Sequence, residues 1–341
     1  MFAKSSGSRL LRLLGAFALV ALAASVVAVG SVAWWLNRPL DLAGDSVELS
    51  IEPGSSPREV ARAWVDAGVR TSPWLLYEWF RWSGQARRIR AGSYEIEIGV
   101  TPRSLLDKMV QGDETLEAVR LIEGWTFRQF REALARAPHL KQVAAGMSES
   151  QLMAAIGAPG QAAEGRFFPD TYLYSRGVSD LTVLKRAHRA MAGRLAAVWS
   201  ERAEDLPLKS ADEALILASI IEKETAAEAD RGQIAGVFVN RLRIGMPLQT
   251  DPTVIYGMGE AFDGNLRKRD LQQDTPWNTY TRNGLPPTPI AMPGQAALRA
   301  SVRPQYTPAL YFVARGDGSS AFSQTLEDHN RAVNRYQRGG R

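Results

Sequence analysis

The sequence predicts an α+β protein: an N-terminal transmembrane helix, a small α/β module over residues 45–138, and a mixed α/β domain over 139–335. Three patterns carry that expectation. Leu13 to Leu36 holds no charged residue. Between 45 and 138, an alternating apolar–polar stretch, a glycine turn and a Ser- or Thr-capped helical run recur in succession. Beyond 139 the apolar positions fall at three- and four-residue steps, and a short apolar strand comes only near the C-terminus.

The anchor comes first. At about 1.5 Å per residue, a helix over 13–36 is long enough to cross a hydrocarbon core of about 30 Å with some tilt. Lys4, Arg9 and Arg12 precede it, which makes residues 1–12 a cytoplasmic tail, and Trp34-Trp35 suits the far interface. A cleaved signal peptide competes, because Ala21-Leu-Ala23 and Ser31-Val-Ala33 offer small-residue sites. The apolar run is nevertheless longer than the roughly 7–15 residues of a cleavable core, so a retained single-pass anchor is the expectation. Either way the body of the chain lies outside the cytoplasmic membrane.

Composition excludes several chemistries. The chain of 341 residues has no cysteine and only three histidines, His139, His188 and His329, without ligand spacing. No disulfide framework, thiol nucleophile or zinc site is expected. The formal charge is +5, but residues 1–40 hold Lys4, Arg9, Arg12 and Arg38 and no acid. The body is therefore nearly neutral, and the clusters at Arg87-Arg88-Ile-Arg90 and Arg331 to Arg341 read as solvated or membrane-proximal charge. A nucleic-acid partner is not expected.

In the small module, Val47 to Ile51, Tyr94 to Ile98 and Val119 to Ile122 read as half-buried strands, each followed by a glycine turn and a capped helix. Pro57 and Pro102 stand in the first helical position. The result is a sheet with helices on one face, serving as a spacer or as a glycan-binding unit. Ser72 to Trp82 is an aromatic-rich helix whose rings belong to a core or, alternatively, to a glycan-stacking face.

The second domain opens after an Ala/Gly-rich stretch with a helical piece over Glu149 to Ile156. Glu164 to Tyr174 reads as a loop, since Pro169 interrupts its aromatics, and Asp170 could cap a helix or line a groove. Leu181 to Trp199 is an amphipathic helix. Ser210-Ala-Asp-Glu213 has the form of a capping box and opens a helix that ends near Glu224. Leu217, Ile220, Ile221 and Glu224 share one face of it, whereas Glu222 points elsewhere. An acid at the end of an apolar stripe is partly desolvated, which raises its pKa. The competing reading is a Glu224 paired with Arg231, Arg241 or Arg243. Leu310 to Ala314 reads as a strand turned at Gly316-Asp-Gly318, and His329 as a packing group.

Several stretches together resemble the MltG, or YceG-like, endolytic murein transglycosylases. They are Ala218-Ser-Ile-Ile-Glu-Lys-Glu-Thr225, Val237 to Met246, Leu248-Gln-Thr-Asp-Pro-Thr-Val-Ile-Tyr-Gly257, Asn278-Thr-Tyr280, Gly284-Leu-Pro-Pro287 and Tyr311-Phe-Val313. Glu123-Gly124, Phe168-Pro-Asp-Thr171, Asp328-His-Asn330 and the N-terminal anchor fit as well. One departure is visible: Arg166-Phe-Phe168 stands where that family often has tryptophan. The resemblance implies a LysM-like first module and a YceG-like catalytic domain with a lysozyme-like glutamate helix.

It also implies the chemistry. Glu224 corresponds to the family's essential glutamate, and cleavage of the β-1,4 bond between N-acetylmuramic acid and N-acetylglucosamine would leave 1,6-anhydromuramyl ends. One carboxyl then suffices, because the sugar's own 6-hydroxyl is the nucleophile, whereas glycan hydrolases generally need two. Gln249, Thr250, Tyr256, Asn278 and Tyr280 are the candidates for holding substrate. Glu222, Asp251 and Asp170 are candidate supports of the acid, with a plain turn-forming role open for Asp251. Nothing in the sequence calls for a metal or organic cofactor. By resemblance the protein sits in the bacterial inner membrane with its catalytic domain in the periplasm. It would act on peptidoglycan strands beside penicillin-binding synthases and end their polymerisation. The alternative is a non-catalytic, membrane-anchored scaffold that binds the cell wall.

Overall fold

The computed structural model describes residues 6–225 and 227–339, so Lys4 lies outside the described residues. Helix α1 (Ser6–Asn37) begins well before the apolar run. Most of the expected tail is therefore helical: the basic residues are good helix formers, and their charge marks a change of solvent rather than a helix end. Within α1, Leu19–Asn37 spans 19 residues of mean hydropathy 2.1, long and apolar enough to cross a membrane, as an N-terminal signal sequence also is.

The chain divides into two compact units, one of residues 1–117 with 175–177 and one of 118–174 with 178–341. In the first, α1 is followed by β1 (Asp41–Leu42), β2 (Ser46–Ile51), α2 (Pro57–Ala67), β3 (Val69–Arg70), α3 (Pro73–Trp82), β4 (Gly92–Glu97) and α4 (Pro102–Gln111). Strands β2 and β4 pair antiparallel, from Ser46 opposite Glu97 to Ile51 opposite Gly92. The expected capping chemistry starts the helices: Ser56 accepts Glu59 N–H at 3.3 Å while the Glu59 carboxylate accepts Ser56 N–H at 2.7 Å. Thr101 and Ser104 do the same for α4. Trp64, Phe80, Tyr94, Leu105 and Met109 form the core of this unit, and the Trp64 indole N–H donates to Met109 Sδ at 3.2 Å. Truncating so buried a tryptophan to alanine would cost about 3–5 kcal/mol. In the last turn of α1 Leu36 is buried and Trp35 packs on this core, which Leu40 joins, and Leu40 N–H donates to Val100 O at 2.8 Å. No spacer separates the apolar helix from the module.

Helix α3 corrects a simple core reading. Leu76 and Phe80 are fully buried, but Trp74 and Trp82 are 65% and 78% exposed. Only one stripe of the helix faces inward.

β5 (Leu116–Arg120) leads into the second unit, which continues through α5 (Phe127–Arg136), α6 (Glu149–Ala155), β6 (Thr171–Ser175), α7 (Asp180–Ser200), α8 (Ala211–Glu224), α9 (Glu228–Arg243), α10 (Asp251–Met258), α11 (Lys268–Gln272), α12 (Gln295–Val302), β7 (Tyr311–Ala314), β8 (Ser320–Ser323) and α13 (Leu326–Val333). The third strand–turn–helix copy thus forms as expected but belongs here. β5 pairs with β6, and Phe127, Phe130 and Leu134 of α5 bury against Phe167, Tyr172 and Leu184. That shifts the boundary from the expected 138 to 117. Local patterning gives a strand, but only its partner decides which core it joins. β6 was expected as loop: Pro169 precedes the strand instead of interrupting it, and Tyr172 and Tyr174 alternate inward.

Helix α8 is central to this unit. Every residue from Ala214 to Ile221 is buried, so the helix is covered on all sides, not only along the expected stripe. Leu217, Ile220 and Ile221 meet Phe238, Leu248, Ile290 and Leu298 in one core. The buried Ser219 hydroxyl donates to Ile216 O at 2.7 Å and accepts Ile290 N–H at 3.0 Å, leaving no orphan polar atom there.

Candidate active site

Glu224 is the last residue of α8, where that buried helix reaches the surface of its unit, and its side chain is half-buried. Loss of water pushes its carboxyl from 4.5 up to about 7. The Thr250 hydroxyl, which donates to Glu224 Oε1, acts against that shift, the negative charge of Asp251 adds to it, and the Arg241 guanidinium opposes it. The outcome is an acid balanced between its two protonation states near neutrality, with one oxygen held by Thr250.

Thr250 is fixed by its backbone. Gln249 takes a left-handed φ of +47°, an uncommon conformation for a residue with a long side chain. Its N–H donates to Thr279 O at 3.1 Å, and Thr250 N–H donates to Thr279 Oγ1 at 3.1 Å. Thr253 Oγ1 donates to Thr250 O at 2.7 Å and lies 2.8 Å from Thr279 Oγ1. This threonine cluster is buried and turns the Thr250 hydroxyl toward Glu224. The Gln249 side chain is exposed, and among the described residues its amide has no hydrogen-bond partner.

Asp251 opens α10 and accepts the Tyr280 hydroxyl at 2.6 Å. Burial, together with Asp251 and Glu224, raises the Tyr280 pKa, so the phenol stays a donor. Asp251 is therefore both a helix-opening residue and a charge felt by Glu224. Asn278 has a different role from the expected one. It is fully buried, its amide donates to Leu271 O at 3.0 Å and Gln273 O at 2.7 Å, and its oxygen accepts Tyr280 N–H at 2.8 Å. It holds the Tyr280 turn and has no free face for a ligand.

Two supports expected for the acid lie elsewhere. Glu222 accepts Gly294 N–H at 2.9 Å at the start of α12, and burial raises its pKa. Asp170 is exposed and accepts Thr171 N–H at 2.8 Å as β6 begins, so it neither caps a helix nor touches Glu224. The three arginines proposed as partners form no ion pair with Glu224 among the described residues. Arg241 is buried and donates to Leu310 O at 2.7 Å and Leu248 O at 2.8 Å, with its guanidinium 5.2 Å from the Tyr311 ring centroid. His329 stacks on the Tyr311 ring at 5.2 Å between centroids, but its Nδ1 is buried without a hydrogen-bond partner among the described residues, so it is not the satisfied packing group expected.

Tyr256 faces a second feature. An open cavity of about 1160 Å³ is lined by Phe127, Glu164, Lys223, Tyr256, Phe262 and Trp277. Glu224 is not in its lining, but Lys223 and Pro252 are the chain neighbours of Glu224 and Asp251. The Tyr256 ring meets Trp277 edge-on at 5.5 Å, and its hydroxyl donates to Glu164 Oε2 at 3.2 Å. Glu164 is buried, and desolvation lifts it to about 7 against the Phe127 N–H, 3.0 Å away, and the Tyr256 hydroxyl. Gly165, at φ +78°, lets the chain turn there, and a side chain on it would strike Pro289 at 2.4 Å. Glu164 and Thr279 are the site residues that sequence reasoning left without a role. The Glu-Gly pair at 164–165 is the one local signal that could have flagged the first. Among the described residues, no group of three His, Asp or Glu side chains converges as a metal site would require.

Comparison with known proteins bears on what this arrangement does. The model of the YceG-like family matches residues 49–335. The chain is 30% identical over 308 residues to an endolytic murein transglycosylase of Bacillus subtilis, covering 85% of both chains. It is 28% identical over 321 residues to an endolytic murein transglycosylase of Streptococcus pneumoniae, covering 84% of this chain and 58% of that one. A crystal structure of a YceG-like protein from Listeria monocytogenes superposes with a TM-score of 0.55 at 29% identity, over 85% of this chain and 99% of that one.

Proposed function

The chain belongs to the YceG-like family, and from that premise we propose that it is an endolytic peptidoglycan lytic transglycosylase. It cleaves the β-1,4 bond between N-acetylmuramic acid and N-acetylglucosamine within a glycan strand and leaves a 1,6-anhydromuramyl end. The observation that carries this reading is the half-buried acid at the end of α8, poised near pH 7 and held through one oxygen by Thr250.

The reaction follows from that balance. Protonated Glu224 donates to the bridging oxygen as the bond from that oxygen to the anomeric carbon breaks. The resulting carboxylate is stabilised by the Thr250 hydroxyl and the nearby Arg241 charge, and it then takes the proton of the 6-hydroxyl as that oxygen bonds the anomeric carbon. One proton leaves Glu224 and one returns, and no water is consumed. General acid–base catalysis of this kind contributes about 10²–10⁴-fold. A pKa far below 7 would leave no acid, and one far above it no base.

Gln249 is the candidate for contacting the sugar, since its exposed amide belongs to the residue before Thr250, which bonds the acid, and Tyr280 bonds Asp251. Tyr256 and Trp277 offer rings along the adjoining cavity, where a strand longer than one disaccharide would run. Glu164 shapes that cavity, its carboxylate being committed to Phe127 and Tyr256. In this reading α1 is a retained anchor that places both units in the periplasm, and the LysM-like first unit lies next to the membrane. Nascent strands from penicillin-binding synthases are the substrate, and cleavage ends their growth.

The test is digestion of purified sacculi by the full-length protein, with the glycan ends typed by mass spectrometry. Anhydromuramyl ends, absent with Glu224→Gln, are expected. Reducing muramic ends, heavier by one water, would identify a hydrolase, and strand binding without any new end would identify a scaffold.

A further inference from the structure

The aromatic helix α3 presents a face that the fold leaves uncovered. Trp74, Leu75 and Trp82 are exposed, while Leu76 and Phe80 on the opposite stripe fill the core. The exposed face adjoins the apolar helix itself: a cavity of about 590 Å³ is lined on one side by Ala28, Val29 and Val32 of α1 and on the other by Trp74, Leu75 and Trp82. Trp79 is fixed between them by its indole N–H, which donates to Pro102 O at 3.0 Å. The seating of α1 is set in its last turn, where Trp35 packs on the core of the same unit and Leu36 is buried.

Depth follows from helix geometry. Leu19–Asn37 is the segment suited to crossing a membrane. Ala28 stands nine residues before its end, about 13 Å along the axis, against a half-thickness of about 15 Å for the hydrocarbon core. Whatever packs beside Ala28 to Val32 is therefore level with the outer leaflet. Tryptophan and cationic side chains favour the membrane–water boundary at the end of that leaflet. Here Arg38 lies 5.0 Å from the Trp34 ring, and Arg81 lies 5.8 Å from the Trp82 ring.

We propose that α3 is a second membrane contact: its Trp74–Leu75–Trp82 face lies within the outer leaflet of the bilayer that α1 crosses. The occupant of this apolar surface is lipid, because the groove is continuous with the lipid-facing flank of α1. The inference rests on reading α1 as a membrane span, and the experiment separates the two.

The chain has no cysteine, so single cysteines can be introduced and spin-labelled in the full-length protein, reconstituted in vesicles of phosphatidylethanolamine and phosphatidylglycerol. Labels replace Trp74, Trp82, Leu22 within α1, or Ser55. Ser55 lies at the end of the β2–β4 ribbon opposite the Leu40–Val100 contact. Labels at 74, 82 and 22 are expected to lose accessibility to a water-soluble nickel chelate and keep accessibility to oxygen, while 55 stays open to nickel. Labels at 74 and 82 open to nickel, with 22 shielded, would overturn the α3 contact and leave the anchor standing. A nickel-accessible label at 22 would remove the anchor and the proposal together. Labels at 74 and 82 shielded from both reagents would point to a protein partner and overturn it as well.

Discussion

Replacing Glu224 by glutamine should stabilise the second unit at alkaline pH while abolishing cleavage. Moving a carboxyl from 4.5 to about 7 corresponds to about 3 kcal/mol against its charged form. The sign follows from proton linkage. Below about pH 4.5 the glutamate is protonated in both folded and unfolded chains, and its burial costs nothing in charge. As pH rises from there through 7, the unfolded chain releases its proton before the folded one does, so the folded state progressively loses that stability. Glutamine has no proton to lose. Glu224→Gln should therefore match the wild type at about pH 4 and exceed it by about 3 kcal/mol at about pH 8.5, or roughly 6–12 °C in melting midpoint for a unit of this size. Glu164, also lifted to about 7, contributes a slope of the same sign, so the single variant keeps part of the pH dependence and Glu164→Gln reduces it further. Calorimetry of the full-length protein across that range measures the gap. Wild type and Glu224→Gln falling in parallel with pH would refute the buried-acid reasoning, whatever happened to activity.

The neighbours of the acid give further tests. Thr250→Val removes a hydrogen bond that lowers the Glu224 pKa, so the alkaline limb of the pH–rate profile should move upward while turnover falls about 10- to 100-fold, the worth of a hydrogen bond to a charged group. Asp251→Asn removes a charge that raises it, and the same limb should move downward. A pair of shifts in one direction would contradict the assigned electrostatics. Gln249→Gly relieves a φ of +47° and should stabilise the fold by about 1 kcal/mol. KM for glycan strands should rise in the same variant, and unchanged KM would exclude Gln249 from the sugar contact.

Local features were legible in the sequence because their causes are local. Ser56, Thr101, Thr126 and Ser210 each open a helix through their own hydroxyls. Glu224 was placed at a helix end by periodicity and singled out by resemblance. What the sequence withheld depends on partners far along the chain. Nothing near Val119 says that its strand pairs beside Tyr172 and leaves the first unit. Nothing near Asn278 says that its amide is spent on Leu271 and Gln273. Glu164 and Phe127 stand 37 positions apart, and only the closed fold makes the one cap the other. The aromatic run at 73–82 misled in the opposite way: composition tells that the rings are apolar but not which of them meets water or lipid.

The join between α1 and the first unit works as a bolt and not as a leash. With Trp35 packed on the module's core and Leu36 buried, the module turns and travels with the helix instead of drifting away from it. If α1 spans the bilayer and the protein acts as proposed, it meets its substrate by sliding in two dimensions, which favours strands in that plane over mature wall further out.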